Sequence, residues 1–146
     1  MIIEGQNHFR CTLIGEARNQ PIEGIIGVGF VIDNRMRASN KSYKDICLAP
    51  LQFSCWNSND PNYGLITNLL SKLDTGEQIY EHHYRQCIAV ADCIINGDFI
   101  DNVHGAKNYV TLDRYAEAKK LQRKQDTWIV NMKPVITLGQ HIFLVD

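Results

Sequence analysis

Apolar positions recur at helical spacing from the start of the chain. Phe9, Leu13, Ile14 and Ala17 mark one face of residues 6–17, with Asn7 placed to cap that helix. Arg18-Asn19-Gln20-Pro21 interrupts the run and lets a second begin, because proline suits a first helical turn. Residues 22–36 are then a largely apolar block. Its heart, residues 25–32, fits a buried strand as well as a helix, and in a helix Gly24, Gly27 and Gly29 would admit very close neighbours. The polar loop 57–61 predicts a helix over about 61–73. The longest helical run is 77–95, with Ile79, Tyr80, Tyr84, Cys87, Ile88, Ala91, Ile94 and Ile95 on one side and Asn96-Gly97 as its stop. Residues 107–112 include Tyr109, Val110 and Thr111 and predict a strand. Asp113 is the expected cap of the charged stretch 114–124, and 134–145 predict a hairpin turning at Gly139-Gln140. The pattern is mainly helical with a small late sheet.

With 146 residues the chain is expected to be a single domain, 1–146, with enough core to need no metal or disulfide staple. Fifteen Lys and Arg against sixteen Asp and Glu leave a net charge of −1, which argues against a nucleic-acid coat or a polybasic membrane binder. No apolar stretch is long enough to span a bilayer, so stable membrane insertion is not expected. The first residues lack the basic and apolar regions of a signal peptide, so synthesis in the cytoplasm is expected. The five cysteines have no CxxC or zinc-ribbon spacing and read as buried thiols, with a Cys47–Cys55 bridge as the alternative in an oxidising compartment.

Four clusters could carry chemistry. Glu16 follows Gly15 near a helix end, where partial desolvation would raise its pKa and suit it to general acid work; otherwise it is a surface carboxylate paired with Arg18. Gln52-Phe53-Ser54-Cys55-Trp56 combines rings with amide and hydroxyl groups, as sugar binding requires, or is a loop anchored by Phe53 and Trp56. Residues 105–109 would present Asn108 and Tyr109 to a cleft. Trp128 and the hairpin residue His141 form the fourth, His141 also reading as a structural hydrogen-bonder. His82-His83 is rejected as a metal site, because neighbours on a helix point about 100° apart. The stretch 114–124 reads as a solvated face before it reads as a polyanion site. Phosphate-loop, GxSxG and HExxH motifs are absent from the sequence.

Taken in order, these clusters resemble the catalytic domain of the SleB/CwlJ-type cell wall hydrolases. Residues 14–24 and 31–36 are similar to that family's opening stretch, GEARGEPxEGxxAVAxVIxNR, and Gln52-Phe53-Ser54 to its QFS segment, with Cys47 near a cysteine often seen there. Residues 105–109 resemble its GATHYH segment; Trp128 and residues 136–143 resemble its closing W…TxxIGNHxF. The resemblance spans residues 9–145. Asn108 and Val110 stand where the family has two histidines, and the interval from Tyr109 to Trp128 is longer than usual.

The resemblance implies an α+β, mainly α, lysozyme-like or lytic-transglycosylase-like domain with a small late β-hairpin, and it favours helix for 22–36. It implies bacterial peptidoglycan as the partner, Glu16 as the catalytic acid, and no cofactor or metal. Substrate contacts are expected from Gln52, Phe53, Ser54, Tyr109, Trp128 and His141, with Trp56 lining the groove. Only Glu16 stands out as an acid, Glu23 reading equally as a capping residue. A lytic transglycosylase needs one carboxyl, whereas ordinary glycosidases use two. A water-using muramidase or glucosaminidase, a non-catalytic glycan-binding or virion structural protein, and nucleic-acid binding through 114–124 are the alternatives. A monomeric phage lysin, reaching the wall through a holin pore or on a virion, is the expected setting.

Overall fold

A computed structural model describes residues 4–146. Its α-helices are α1 (Gln6–Ala17), α2 (Ile22–Ser39), α3 (Tyr43–Leu48), α4 (Tyr63–Asp74), α5 (His82–Ile95), α6 (Leu112–Leu121) and α7 (Thr127–Val130). Strands β1 (Asn108–Thr111), β2 (Lys133–Leu138) and β3 (His141–Val145) form one antiparallel sheet in the order β1-β3-β2. The fold is therefore the mainly helical α+β class, and 22–36 resolve as helix rather than strand.

Helix α1 is the centre. It buries Phe9, Cys11, Thr12, Leu13, Ile14 and Ala17, more than one face, and packs against α2, α3, α4 and α5. A helix apolar on several sides needs neighbours on several sides. Helix α2 supplies the closest approaches. A Cβ on Gly27 would lie 2.7 Å from Cζ of Phe143, and one on Gly29 would lie 2.5 Å from Cδ1 of Ile94. The glycines in the apolar block are thus where β3 and α5 press onto α2. Tyr43 stacks on Phe9 and donates to Oδ1 of the buried Asp33, whose Oδ2 accepts from Arg37. A smaller cluster, Val110, Ala118, Ile129, Ile142 and Leu144, joins the sheet to α6 and α7.

Several local expectations shift. Asn7 does not cap α1: the helix starts at Gln6 behind a left-handed Gly5 (φ 84°), and the Asn7 side chain donates to Asp74. The run 77–95 is helical only from His82, where the Glu81 carboxylate accepts from the amide of Tyr84, leaving Tyr80 exposed on the approach. Helix α4 begins at Tyr63 rather than near Pro61. Thr111, not Asp113, caps α6, its hydroxyl accepting from the amide of Arg114. The hairpin turns at Gly139-Gln140, with Gly139 at φ 59° and the Gln140 amide held by Oε1 of Gln20. All five cysteines are free thiols; burial pushes Cys11, Cys47 and Cys87 up to about 12.

Candidate active site

The last turn of α1 delivers Glu16 from the core into an open cleft of about 430 Å³. The segment after α3 faces it with Leu51, Gln52, Phe53 and Ser54, and β1 contributes Tyr109, Val110 and Thr111. The approach of the two elements depends on Gly15. A Cβ there would sit 2.7 Å from Cβ and 2.8 Å from Sγ of Cys55. Only a residue without a side chain lets the turn Ser54–Trp56 close against α1 beside the acid.

Burial raises the pKa of Glu16 above the ordinary carboxylate value, and the charge of Asp60 adds to the rise. Nearby groups of Cys55 and Ser54 oppose it in part. The position at the helix C-terminus acts in the same direction as burial. Arg18 does not pair with Glu16; it donates to the carbonyl of Ile14 and to Oδ1 of Asn62. Glu16 is the one carboxyl among the described residues lining the cleft, and Glu23 lies exposed in the first turn of α2, outside it.

Tyr109 shares the cleft. Burial, and then the charge of Glu16, push its phenol well above the ordinary value, so it remains a hydrogen-bond donor. Behind it, His141 is 6% exposed and packs its ring 4.6 Å from that of Tyr109. Burial lowers the pKa of His141, keeping it neutral at pH 7, and its Nδ1 has no partner. His141 braces the tyrosine from the sheet and does not line the cleft.

Glu16, Gln52, Phe53, Ser54 and Tyr109 therefore come together, although three separate parts of the chain supply them. Trp128 does not join them: it lies on α7, outside the cleft and 46% exposed. Trp56 also faces elsewhere, its indole N–H donating to the Thr12 hydroxyl at 2.8 Å. The charged stretch is divided. Arg114 and Arg123 both bond to the buried Asp126, so two of its five cations are neutralised locally.

Arg35 is the residue that sequence reasoning passed over. Its Nε donates to the Lys107 carbonyl at 2.6 Å, its Nη1 to Oε1 of Gln52 at 2.9 Å, and its carbon Cζ lies 5.3 Å from the centre of the Phe53 ring. Its neighbour Asn34 donates to Asp101 and to the Ala106 carbonyl. Together they clamp the loop before β1, and so Tyr109, to α2. The available signal was the Asn34-Arg35 pair, which matches the NR closing the family's opening stretch but carries no assigned role in that resemblance.

A profile of the family described as Cell Wall Hydrolase matches residues 19–144, starting three positions after Glu16. Among solved structures, the catalytic domain of the germination-specific lytic transglycosylase SleB from Bacillus anthracis is similar, with a TM-score of 0.62 and 19% identity. The alignment covers 97% of this chain and 95% of that one. The catalytic domain of the Bacillus cereus SleB protein is similar with a TM-score of 0.61 and 19% identity, covering 96% of this chain and 91% of that one. At this identity the two likenesses establish the fold. No curated protein matches the sequence.

Proposed function

The chain belongs to the cell wall hydrolase family, and on that premise we propose that it cuts the glycan strand of bacterial peptidoglycan as a lytic transglycosylase, with Glu16 as acid and then base. The observation that carries this reading is a single carboxyl, held above its ordinary pKa by burial, facing an open cleft with amide, hydroxyl and phenol groups around it. The protonated Glu16 gives its proton to the glycosidic oxygen as the bond from the anomeric carbon of N-acetylmuramic acid breaks. The C6 hydroxyl of the same sugar attacks that carbon and its proton passes to the Glu16 carboxylate, which leaves a 1,6-anhydro end and restores the acid. No second carboxylate is required, unlike in ordinary retaining and inverting glycosidases. In this reading Gln52, Ser54 and Tyr109, which line the cleft, hold the N-acetyl group and the developing positive charge, and Phe53 supports the wall they stand on.

Glu16→Gln is expected to stay folded and to lose clearing of a peptidoglycan suspension, while the wild type releases anhydro-muropeptides in mass spectra of the digest. Reducing ends would replace the transglycosylase by a water-using glycosidase; full activity of Glu16→Gln would remove the acid role. A setting as a phage lysin belongs to the same proposal. Its expected sign is lysis of an expressing cell only when a membrane pore-former is co-expressed.

A further inference from the structure

A second hollow of about 310 Å³ adjoins the cleft, and Arg35 and Gln52 line both. Its floor is apolar, from Ile46, Ala38 and Ala49, and exposed Lys41 and Lys107 also line it. No carboxylate stands among the described residues lining it. The guanidinium of Arg35 bonds to neutral acceptors, the Lys107 carbonyl, Gln52 and, at 3.4 Å, Oδ1 of Asn108, so its charge is not cancelled by a carboxylate there. Three cations thus surround a small apolar floor beside the cleft that holds the acid.

Resting on the reading of the cleft as a glycan site, we propose that this hollow receives the peptide stem of the N-acetylmuramic acid unit, its lysines pairing with the stem's carboxylates. The chemistry fits on three counts. A stem leaves the sugar ring sideways from the glycan axis, and the hollow lies beside the cleft, sharing Arg35 and Gln52 with it. It begins with one small alanine side chain, which suits a floor of Ala38, Ala49 and Ile46. Its glutamyl residue bears a free carboxylate, for which an uncompensated group of cations is the complementary surface.

The test compares two substrates: purified sacculi with intact stems, and the same sacculi stripped of stems by an amidase. Product ends are counted by mass spectrometry. Two solvent-exposed charge contacts predict a preference of about fivefold in kcat/KM for intact sacculi, falling with added salt. Lys41→Glu is expected to lose most of that preference while its rate on stripped strands holds, with an unchanged thermal transition confirming its fold. Equal rates of the wild type on both substrates, an unaltered preference in the variant, or an equal loss on both substrates would each overturn the stem site and leave the glycan reading standing. Cleavage of neither substrate by the wild type would overturn that reading, and the stem site with it.

Discussion

Substituting Gly15 by alanine tests whether the candidate site depends on contact between α1 and the Ser54–Trp56 turn. The added Cβ would meet Cβ of Cys55 at 2.7 Å, about 0.7 Å inside the 3.4 Å where ordinary contact begins, and Sγ of the same residue at 2.8 Å. Cys55 is 1% exposed and cannot swing away into solvent. Overpacking of this kind costs about 1–3 kcal/mol. Replacing a helical glycine by alanine returns about 1 kcal/mol of helix propensity. The net cost is about 0–2 kcal/mol, and a chain of this size loses roughly 3 °C in Tm per kcal/mol. Calorimetry should therefore show Tm lower by up to about 6 °C. The effect on lysis is larger, because the shift separates Glu16 from the groups opposite it, and misplacement by about 1 Å can cost roughly 100-fold. Adding Cys55→Gly removes both clashing atoms and is expected to recover about tenfold of the lost rate, a coupling of about 1.4 kcal/mol. If Gly15→Ala keeps full activity and gains about 3 °C, the propensity gain acts alone. In that case the turn is not pressed against α1, and the account of the site is refuted.

The pH dependence of Glu16 gives a prediction with a definite sign. Its folded pKa is raised by burial, so the ionised form costs stability that the protonated form does not. The wild type should lose stability relative to Glu16→Gln as pH rises from the unfolded carboxyl pKa through the folded one, with the difference between them constant below both; denaturant titration at several pH values reads this. If Glu16 is the acid, kcat/KM should fall across its folded pKa, above the ordinary carboxylate value, and a fall at the ordinary value would contradict the burial effect. Arg35→Met removes bonds to Gln52 and the Lys107 carbonyl and the contact over Phe53, worth about 2–3 kcal/mol together, so Tm should drop by about 6–9 °C and kcat/KM with it. Arg35→Lys should recover little of either, since an ammonium cannot make the forked contacts; full recovery would reduce the role of Arg35 to charge alone.

Periodicity in the sequence determined where most helices lie, because a repeating apolar stripe has one stable use in water: burial against a neighbour. It placed α1, the stop at Asn96-Gly97, the strand bearing Tyr109 and the late hairpin. Helix starts were less legible at α1, α5 and α6. Gly5 is a left-handed turn residue, Glu81 is extended and Thr111 is the last residue of β1, while the competing candidates Asn7, Glu77 and Asp113 satisfy the same local rules. The short-range pattern also could not choose between helix and strand for the apolar block, since a segment buried on several sides shows no clean period. Resemblance and then tertiary packing made that choice, with Gly27 and Gly29 opening the space that Phe143 and Ile94 fill.

For the site, sequence supplied Glu16, Gln52, Ser54 and Tyr109 as chemically suitable residues, but suitability is a property of single side chains. That they share one cleft, that Trp56 and Trp128 stay outside it, and that Arg35 fastens its two walls follow from contacts between positions as far apart as 35 and 107. The raised pKa of Glu16 has the same origin: a carboxylate is desolvated by what packs around it, and nothing in its neighbours along the chain fixes what that is.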